Sequence, residues 1–318
     1  MKLEEVIRLA SDNGYETKDA VALKREASGR EYWRISNTNS SYVLCYQDPL
    51  EGSHDSFVNI SKSLENHKIN ASRVLFHNPE IGITIQTDLG DADLLSIMNE
   101  ENKKFLIEQS LELLCKFQSI DIPNLNKFSK KELEDQSSLF IEVFCSQFLE
   151  IKSTDALKEL VKQTVENIML QPWVNCHFDY ERRNLICDLN ENKIHMIDYQ
   201  DTRIGPIGID IAGILLDHYY PLNKQDINGH LDFYKSISVY KDKELDFFEI
   251  LRWGGIQRNL RILGVLSRLS IEKNLDFRLK DIPMIFNNLI AIMPKDSPGY
   301  SFLTNIVKNK LNERIHNL

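Results

Sequence analysis

One pattern limits this chain more than any other. His177-Phe178-Asp179-Tyr180-Glu181-Arg182-Arg183-Asn184 sets an Asp and an Asn five positions apart, and Ile194-His195-Met196-Ile197-Asp198-Tyr199-Gln200-Asp201 returns a second Asp after an apolar run. Leu185-Ile186-Cys187 and Ile194 to Ile197 read as the arms of a hairpin, with a turn at Asp188 to Asn192. Side chains alternate along a strand, so Met196 and Asp198 are expected on one side and His195 and Ile197 on the other. Asp198 then falls where the strand opens into a loop, and a carboxylate there can point into a cleft. Gly205-Pro206 and Asp210 follow, leading into an apolar helix.

Two carboxylates and a carboxamide at these spacings suit phosphoryl transfer. Asp179 can accept the proton of an attacking hydroxyl, while Asn184 and Asp198 offer the hard oxygen ligands that magnesium takes beside nucleotide phosphates. A bare His-x-Asp-x-x-x-x-Asn also describes a turn with capping residues. The hairpin, its Ile-Asp end and the Gly-Pro to Asp210 sequel favour the chemical reading.

Composition narrows the rest. A chain of 318 residues can bury a large core, and 38 Lys+Arg against 47 Asp+Glu gives a net charge of -9, which offers no basic field for nucleic acid. The five cysteines lie apart in apolar runs, with no Cys-x-x-Cys pair, and read as buried thiols. Met1 to Leu9 reads as an amphipathic helix rather than a signal peptide, and no apolar run approaches membrane-spanning length. A soluble, cytoplasmic protein acting on a small molecule is the expectation, with neither nucleic acid nor membrane as partner and a monomer as the default where the sequence leaves oligomeric state open.

Taken in order, the chain predicts an α+β architecture of two lobes, 1–87 and 88–318. Ala22-Leu23, Tyr32 to Ile35, Tyr42 to Tyr46, Arg73 to Phe76 and Ile81 to Ile85 read as five strands of a small antiparallel sheet, with one helix over Ser53 to His67. The turn Ala27-Ser28-Gly29-Arg30 could lay backbone N–H groups and a guanidinium over phosphates, or be a turn and nothing more. Gln86-Thr87-Asp88-Leu89-Gly90-Asp91 breaks the apolar pattern as a hinge, with Asp91 as the cap of the next helix. Helical periodicity then runs over Lys103 to Ser119, Leu133 to Glu150, Ala156 to Leu170, Ile209 to His218, Asp226 to Tyr240, Leu245 to Leu269, Asp281 to Ile292 and Phe302 to Ile315. A strand-rich lobe hinged to a helical one implies a cleft at their junction.

These residues resemble the aminoglycoside phosphotransferase superfamily of the protein kinase-like fold. Three stretches look like its bacterial branch of sugar kinases that phosphorylate the anomeric hydroxyl of N-acetylmuramate and N-acetylglucosamine. They are Ser28 to Arg34, Ile197-Asp198-Tyr199-Gln200-Asp201 through Gly205-Pro206 to Asp210, and Gln257-Arg258-Asn259-Leu260-Arg261-Ile262-Leu263-Gly264. The resemblance implies ATP and Mg2+, with Asp179 as base and Asn184 and Asp198 as metal ligands. It implies Ser28, Gly29 and Arg30 as a phosphate loop and Gln86, Thr87 and Asp88 as the adenine contact. Glu142, Asp201, Gln257 and Arg258 are the acceptor-side candidates, in a reaction belonging to peptidoglycan recycling.

Departures from the family pattern keep other readings open. The third strand, Tyr42-Val43-Leu44-Cys45-Tyr46, lacks the phosphate-holding Lys common in this fold. Either Arg30 or Arg34 takes over its charge, or the chain is a nucleotide-binding pseudokinase. Glu181 stands where the superfamily commonly has His, and Phe178 where the branch commonly has Arg. An aminoglycoside, choline or homoserine acceptor is the alternative, and Asp201, Glu142 and Asp217 could form the acidic wall a polycation needs. His177 is expected to brace the loop, and Asp210 to cap the helix or pin the loop backbone.

Overall fold

A computed structural model describes residues 1–23, 30–189 and 191–316. Packing divides the chain into two compact units, Met1–Asn124 with Arg182–Thr202, and Leu125–Glu181 with Arg203–Leu318.

The first unit opens with α1 (Leu3–Asp12), which buries Val6 and Ala10, four residues apart on one helical face. Strands β1 (Asp19–Ala22), β2 (Glu31–Ser36) and β3 (Ser41–Tyr46) follow, then α2 (Asp55–Asn66), β4 (Val74–Asn78) and β5 (Ile83–Thr87). They form one antiparallel sheet in the order β1-β2-β3-β5-β4. Ile35, Leu44 and Ile85 meet Val6, Ala10 and Ala20 in a core of their own. The five strands and single helix read from the sequence are present, β2 to β5 because each carries enough β-branched or aromatic residues to declare itself locally, whereas β1 overlaps the expected Ala22-Leu23 only at Ala22.

Beyond β5 the chain enters α3 (Leu94–Ile97) and α4 (Lys103–Ser119). Asp91 does not cap α3. Asp93 does, its carboxylate accepting from the Ser96 N–H at 2.8 Å, while Asp91 pairs with Arg34. Two aspartates in one turn are interchangeable by propensity, and the ion pair decides between them.

The second unit begins with α5 (Lys130–Leu139), opened by a capping box between Ser129 and Glu132. The helix expected over Leu133 to Glu150 therefore starts earlier, and from Phe140 to Phe148 it winds as a π-helix. In that segment Phe140 stacks on Phe144 at 5.2 Å, and Phe144 on Phe148 at 6.1 Å. After α6 (Asp155–Met169) comes β6 (Trp173–Cys176), and after the hairpin strands β7 (Leu185–Asp188) and β8 (Lys193–Met196), which belong to the first unit, comes β9 (Arg203–Pro206). Strands β6 and β9 pair antiparallel, Trp173 opposite Pro206 and Cys176 opposite Arg203. This two-stranded ribbon was not expected from the sequence. Four residues are too few for a period, and each strand's partner lies some thirty positions away.

Helices α7 (Gly208–Leu215), α8 (Lys224–Ile237), α9 (Phe247–Lys273), α10 (Ile282–Ile292), α11 (Pro298–Phe302) and α12 (Lys308–His316) complete the chain, with a π-helical turn over Leu303–Val307 between the last two. Long α9 is the spine of this unit. Its Trp253, Ile256, Leu260, Leu263 and Leu266 join Phe140, Phe144, Ile209, Ile285, Phe286 and Leu289 in the main core. Cys45, Cys145, Cys176 and Cys187 are buried thiols, whereas Cys115 is half-buried. Among the described residues, no helix is long and apolar enough to cross a membrane.

Helices α7 and α9 cross where glycines face each other, and a Cβ on Gly254 would lie far inside contact distance of the Gly208 backbone. Gly254→Ala is expected to lower stability by about 1–3 kcal/mol through overpacking. Gly229 is the control: it sits exposed on α8, where an added Cβ would meet nothing within 4 Å, so Gly229→Ala should add about 0.5–1 kcal/mol. Urea unfolding of the two variants checks both signs.

Candidate active site

The loop between β6 and Glu181 belongs to the second unit and is held from α7 and α9. Asp210, 1% exposed in the first turn of α7, accepts the His177 N–H at 2.7 Å with Oδ2 and the Phe178 N–H at 2.8 Å with Oδ1. It pins the loop backbone. The N-cap of α7 is Ile207, so the two roles weighed for Asp210 resolve in favour of the loop. Phe178 has φ +72°, a left-handed conformation that an L-residue adopts only when its surroundings hold it there. The turn closes through the Glu181 N–H donating to the Asp179 carbonyl at 2.9 Å. Gly213 on α7 lies against the Tyr180 carbonyl so closely that a Cβ there would collide with it.

Two arginines of α9 meet this loop. Arg258 pairs with Glu181 at 2.7 Å, both side chains 2% exposed. Arg261 donates from Nη2 to the Phe178 carbonyl at 2.9 Å, and its guanidinium lies 4.0 Å from the Phe178 ring centroid. Burial and the neighbouring Glu181 push the Asp179 carboxyl above its usual range, while Arg261, Arg258 and His177 pull it back. A carboxylate so placed is a stronger base than one in water. His177 is buried, with its ring edge-on to Tyr180 at 5.8 Å, a bracing position.

The hairpin belongs to the first unit. Strands β7 and β8 pair from Leu185 opposite Met196 to Asp188 opposite Lys193. Asn184, 8% exposed just before β7, accepts the Ile197 N–H on its carbonyl at 3.0 Å, so Asn184 and Asp198 lie at the same end of the hairpin. Strand β8 stops at Met196, and Asp198 has φ +63°. Its side-chain direction is therefore set by a left-handed turn, not by the strand alternation expected to place it on the Met196 side. Oδ1 of Asp198 accepts from Gln200 Nε2 at 2.6 Å, and next to it Tyr199 anchors the turn, its hydroxyl donating to the Ser72 carbonyl and its ring against Phe57 at 4.9 Å. A carboxylate and a carboxamide held at one hairpin end make an all-oxygen donor pair, which fits magnesium and ill suits a softer metal.

The sheet and hinge residues expected near a nucleotide also lie in the first unit. Ser28 and Gly29 fall outside the described residues. Arg30 donates from Nε to Gln47 Oε1 at 3.2 Å. Gln86 is buried in β5 opposite Val43, and Thr87 exchanges hydrogen bonds with Arg73, accepting its N–H on Oγ1 at 2.9 Å. Asp88 accepts from Ser41 Oγ at 2.5 Å and from the Gly90 N–H at 3.0 Å. Burial works against its charge, but Ser41, Gly90 and Arg34 together hold its carboxyl below the usual range. Arg34 reaches Asp88 at 2.8 Å and Asp91 at 2.7 Å. Its charge is thus already matched by two carboxylates, which leaves Arg30 as the better placed of the two arginines weighed against the missing strand Lys.

The acceptor-side candidates differ in exposure and in their contacts. Glu142 is exposed on the π-helical segment and Asp201 is exposed beyond the hairpin. Gln257 is buried in α9, donating to Gln136 Oε1 at 3.3 Å, and Arg258 is occupied by Glu181. Asp217, weighed for an acidic wall, is buried at 1% exposure. Sequence reasoning passed over Arg261. The signal was there: Arg258 and Arg261 are three apart on one helix and so share a face.

Known proteins share this arrangement of elements. A family model described as "Phosphotransferase enzyme family" matches residues 19–240. Similar curated proteins include the N-acetylmuramate/N-acetylglucosamine kinase of Pseudomonas putida, 27% identical over 310 residues (92% of this chain, 90% of that one). The protein of the same name from Neisseria meningitidis serogroup B is 25% identical over 300 residues and covers 89% of each chain. Among solved structures, a spectinomycin phosphotransferase in complex with ADP and spectinomycin superposes with a TM-score of 0.67 at 17% identity, over 95% of this chain and 98% of that one. A choline kinase from Streptococcus pneumoniae does so with a TM-score of 0.66 at 14% identity, over 91% and 99%. The fold is the protein kinase-like one, an antiparallel N-terminal sheet followed by a helical remainder. Matched from β1 through the Asp179 loop and the Asp198 hairpin to the end of α8, this chain belongs to the phosphotransferase enzyme family.

Proposed function

We propose that this protein is an ATP- and magnesium-dependent kinase that transfers the γ-phosphoryl group to a hydroxyl, the anomeric one, of an amino sugar of the N-acetylmuramate or N-acetylglucosamine type. The observation that carries the reading is the Asp179 loop, a half-buried carboxylate of raised proton affinity on a backbone pinned by Asp210. The acceptor class rests on the names of relatives that align over most of both chains.

In this reading residues 1–87 bind nucleotide and 88–318 carry the catalytic loop and acceptor side. Bound magnesium would neutralise charge on the phosphates, and Asn184 and Asp198 are the residues to hold it. Asp179 orients the acceptor hydroxyl and takes its proton as the oxygen attacks phosphorus. Arg30 offsets phosphate charge from the sheet, and the backbone of Gln86 to Asp88 meets the adenine. Glu142, Asp201 and Gln257 are the acceptor contacts to test. Arg258 is assigned a structural role, since its guanidinium answers Glu181.

Release of ADP from magnesium-ATP, with N-acetylmuramate, N-acetylglucosamine, kanamycin and choline offered separately, tests the acceptor. Turnover is expected on the acetylated sugars, with phosphorus NMR placing the product phosphate on the anomeric oxygen. Turnover on kanamycin or choline alone would overturn the sugar assignment. Asp179→Asn and Asp198→Ala should each lose activity by at least about a thousandfold, one for want of a base and the other of a metal ligand. ATP-induced thermal stabilisation without turnover on any acceptor would favour a pseudokinase.

The raised proton affinity of Asp179 sets the sign of the pH dependence. The base works ionised, so kcat should fall as pH drops through a pKa above the usual carboxylate range, and a limb below about pH 4 would contradict the burial argument. Arg258→Met should act on folding before it acts on sugar binding. Removing the guanidinium from the buried Glu181–Arg258 pair is expected to cost about 3–5 kcal/mol, read by denaturant unfolding.

A further inference from the structure

Phe178 is held at three of its groups. Its N–H donates to Asp210 Oδ1 at 2.8 Å, and its carbonyl accepts from Arg261 Nη2 at 2.9 Å. Its ring is part of a stack: the Arg261 guanidinium lies 4.0 Å from the Phe178 centroid, Phe178 lies 4.7 Å from Phe128, and the Arg203 guanidinium lies 4.1 Å from the Phe128 centroid. Arg203 is fixed in turn by Glu132 at 2.9 Å and by the Lys127 carbonyl at 3.2 Å. These contacts surround a non-glycine residue with φ +72°, immediately before Asp179. A phenylalanine left to itself would leave that conformation, which costs an L-residue on the order of 1–2 kcal/mol.

Arg261 is the member that touches both the ring and the backbone. No carboxylate pairs with it among the described residues, and its Nε is buried without a partner. Arg258, one turn earlier, has a carboxylate, Glu181. A half-buried arginine without an ion pair relies on its other interactions. Here its direct contacts are a carbonyl and a ring, both of Phe178, with the charges of Asp179 and Glu181 acting on it from farther away.

We propose that Arg261 is a positioning residue for phosphoryl transfer: by clamping the carbonyl and ring of Phe178 it holds the strained turn that presents the Asp179 carboxylate to the acceptor hydroxyl. The inference rests on the reading of Asp179 as the base. It assigns Arg261 no contact with substrate. A loosened turn misplaces the base without emptying either substrate site, so the defect belongs in kcat and not in KM. Phe178 in the place of an arginine then makes sense as the aromatic half of the clamp.

The test is a double-mutant cycle on steady-state kinetics with magnesium-ATP and the acceptor that the wild type turns over. Arg261→Met should lower kcat by about tenfold to a hundredfold, with both KM values within about twofold of wild type. Arg261→Lys keeps a cation and an N–H donor and should recover most of the loss. Phe178→Ala removes the ring half of the clamp at a position where an L-residue at φ +72° is still strained, and should give a similar drop in kcat. Because both substitutions release the same turn, the double variant should be no slower than the slower single one. Should Arg261→Met fail to fold, Arg261→Gln, which removes the guanidinium but stays polar, takes its place in the cycle with Phe178→Ala.

Three results would overturn the clamp: Arg261→Met with wild-type kcat, losses that multiply in the double variant, or a loss confined to the acceptor KM, which would make Arg261 a substrate ligand. Asp179→Asn separates this from the underlying assignment. If that variant turns over like wild type, the reading of Asp179 fails, whatever the cycle at Arg261 gives.

Discussion

The arrangement of the second unit depends on one buried carboxylate. Asp210 takes two consecutive backbone N–H groups, those of His177 and Phe178, and a carboxylate bound by main-chain donors is among the stronger contacts a loop can have. Those N–H groups lie just beyond β6, which ends at Cys176, and Asp210 is the carboxylate that receives both. Strand β9 delivers Asp210, and the β6–β9 pairing brings it to the strand end where the loop begins. The ribbon missed in the sequence is thus what gives the loop its anchor.

Helix α9 acts on the same loop by a different means. Its apolar face builds the main core, and the face bearing Arg258 and Arg261 brings two cations to a segment with two acidic side chains, Asp179 and Glu181. Arg258 has an ion pair, and Arg261 has none among the described residues. Glu181 pairs with Arg258, which explains how a glutamate stands at a position where a histidine is common: it has a buried partner on α9. Asp179 keeps a carboxyl of raised proton affinity, flanked by like charge on one side and cations on the other, the balance a general base requires.

In the first unit the metal-type pair is arranged by short-range contacts. The Asn184 carbonyl and the Ile197 N–H close the open end of the hairpin, and the turn that follows places Asp198 in a left-handed conformation braced by buried Tyr199. The same unit ties together the residues after β5 with charge: Arg34 pairs with both Asp88 and Asp91.

How far the sequence reached follows from the range of each interaction. The five-stranded sheet, the hairpin, the helices and the spacing of Asp179, Asn184 and Asp198 are set by residues near one another in the chain, where periodicity, capping and turn preference act, and all were legible there. The choice of Asp93 over Asp91 as a cap, the β6–β9 ribbon, the pairing of Glu181 with Arg258 and the clamp of Arg261 on Phe178 join positions tens of residues apart, between elements whose local patterns carry no record of a partner. Strand alternation does not govern Asp198, since it holds only while a strand continues, and β8 stops at Met196 before the left-handed turn at Asp198. Chain-local chemistry determined which groups this protein brings to a reaction. Only the tertiary structure decided which of its buried charges are neutralised and which stay poised, because neutralisation requires a partner within a few ångströms and burial removes the water that would otherwise serve.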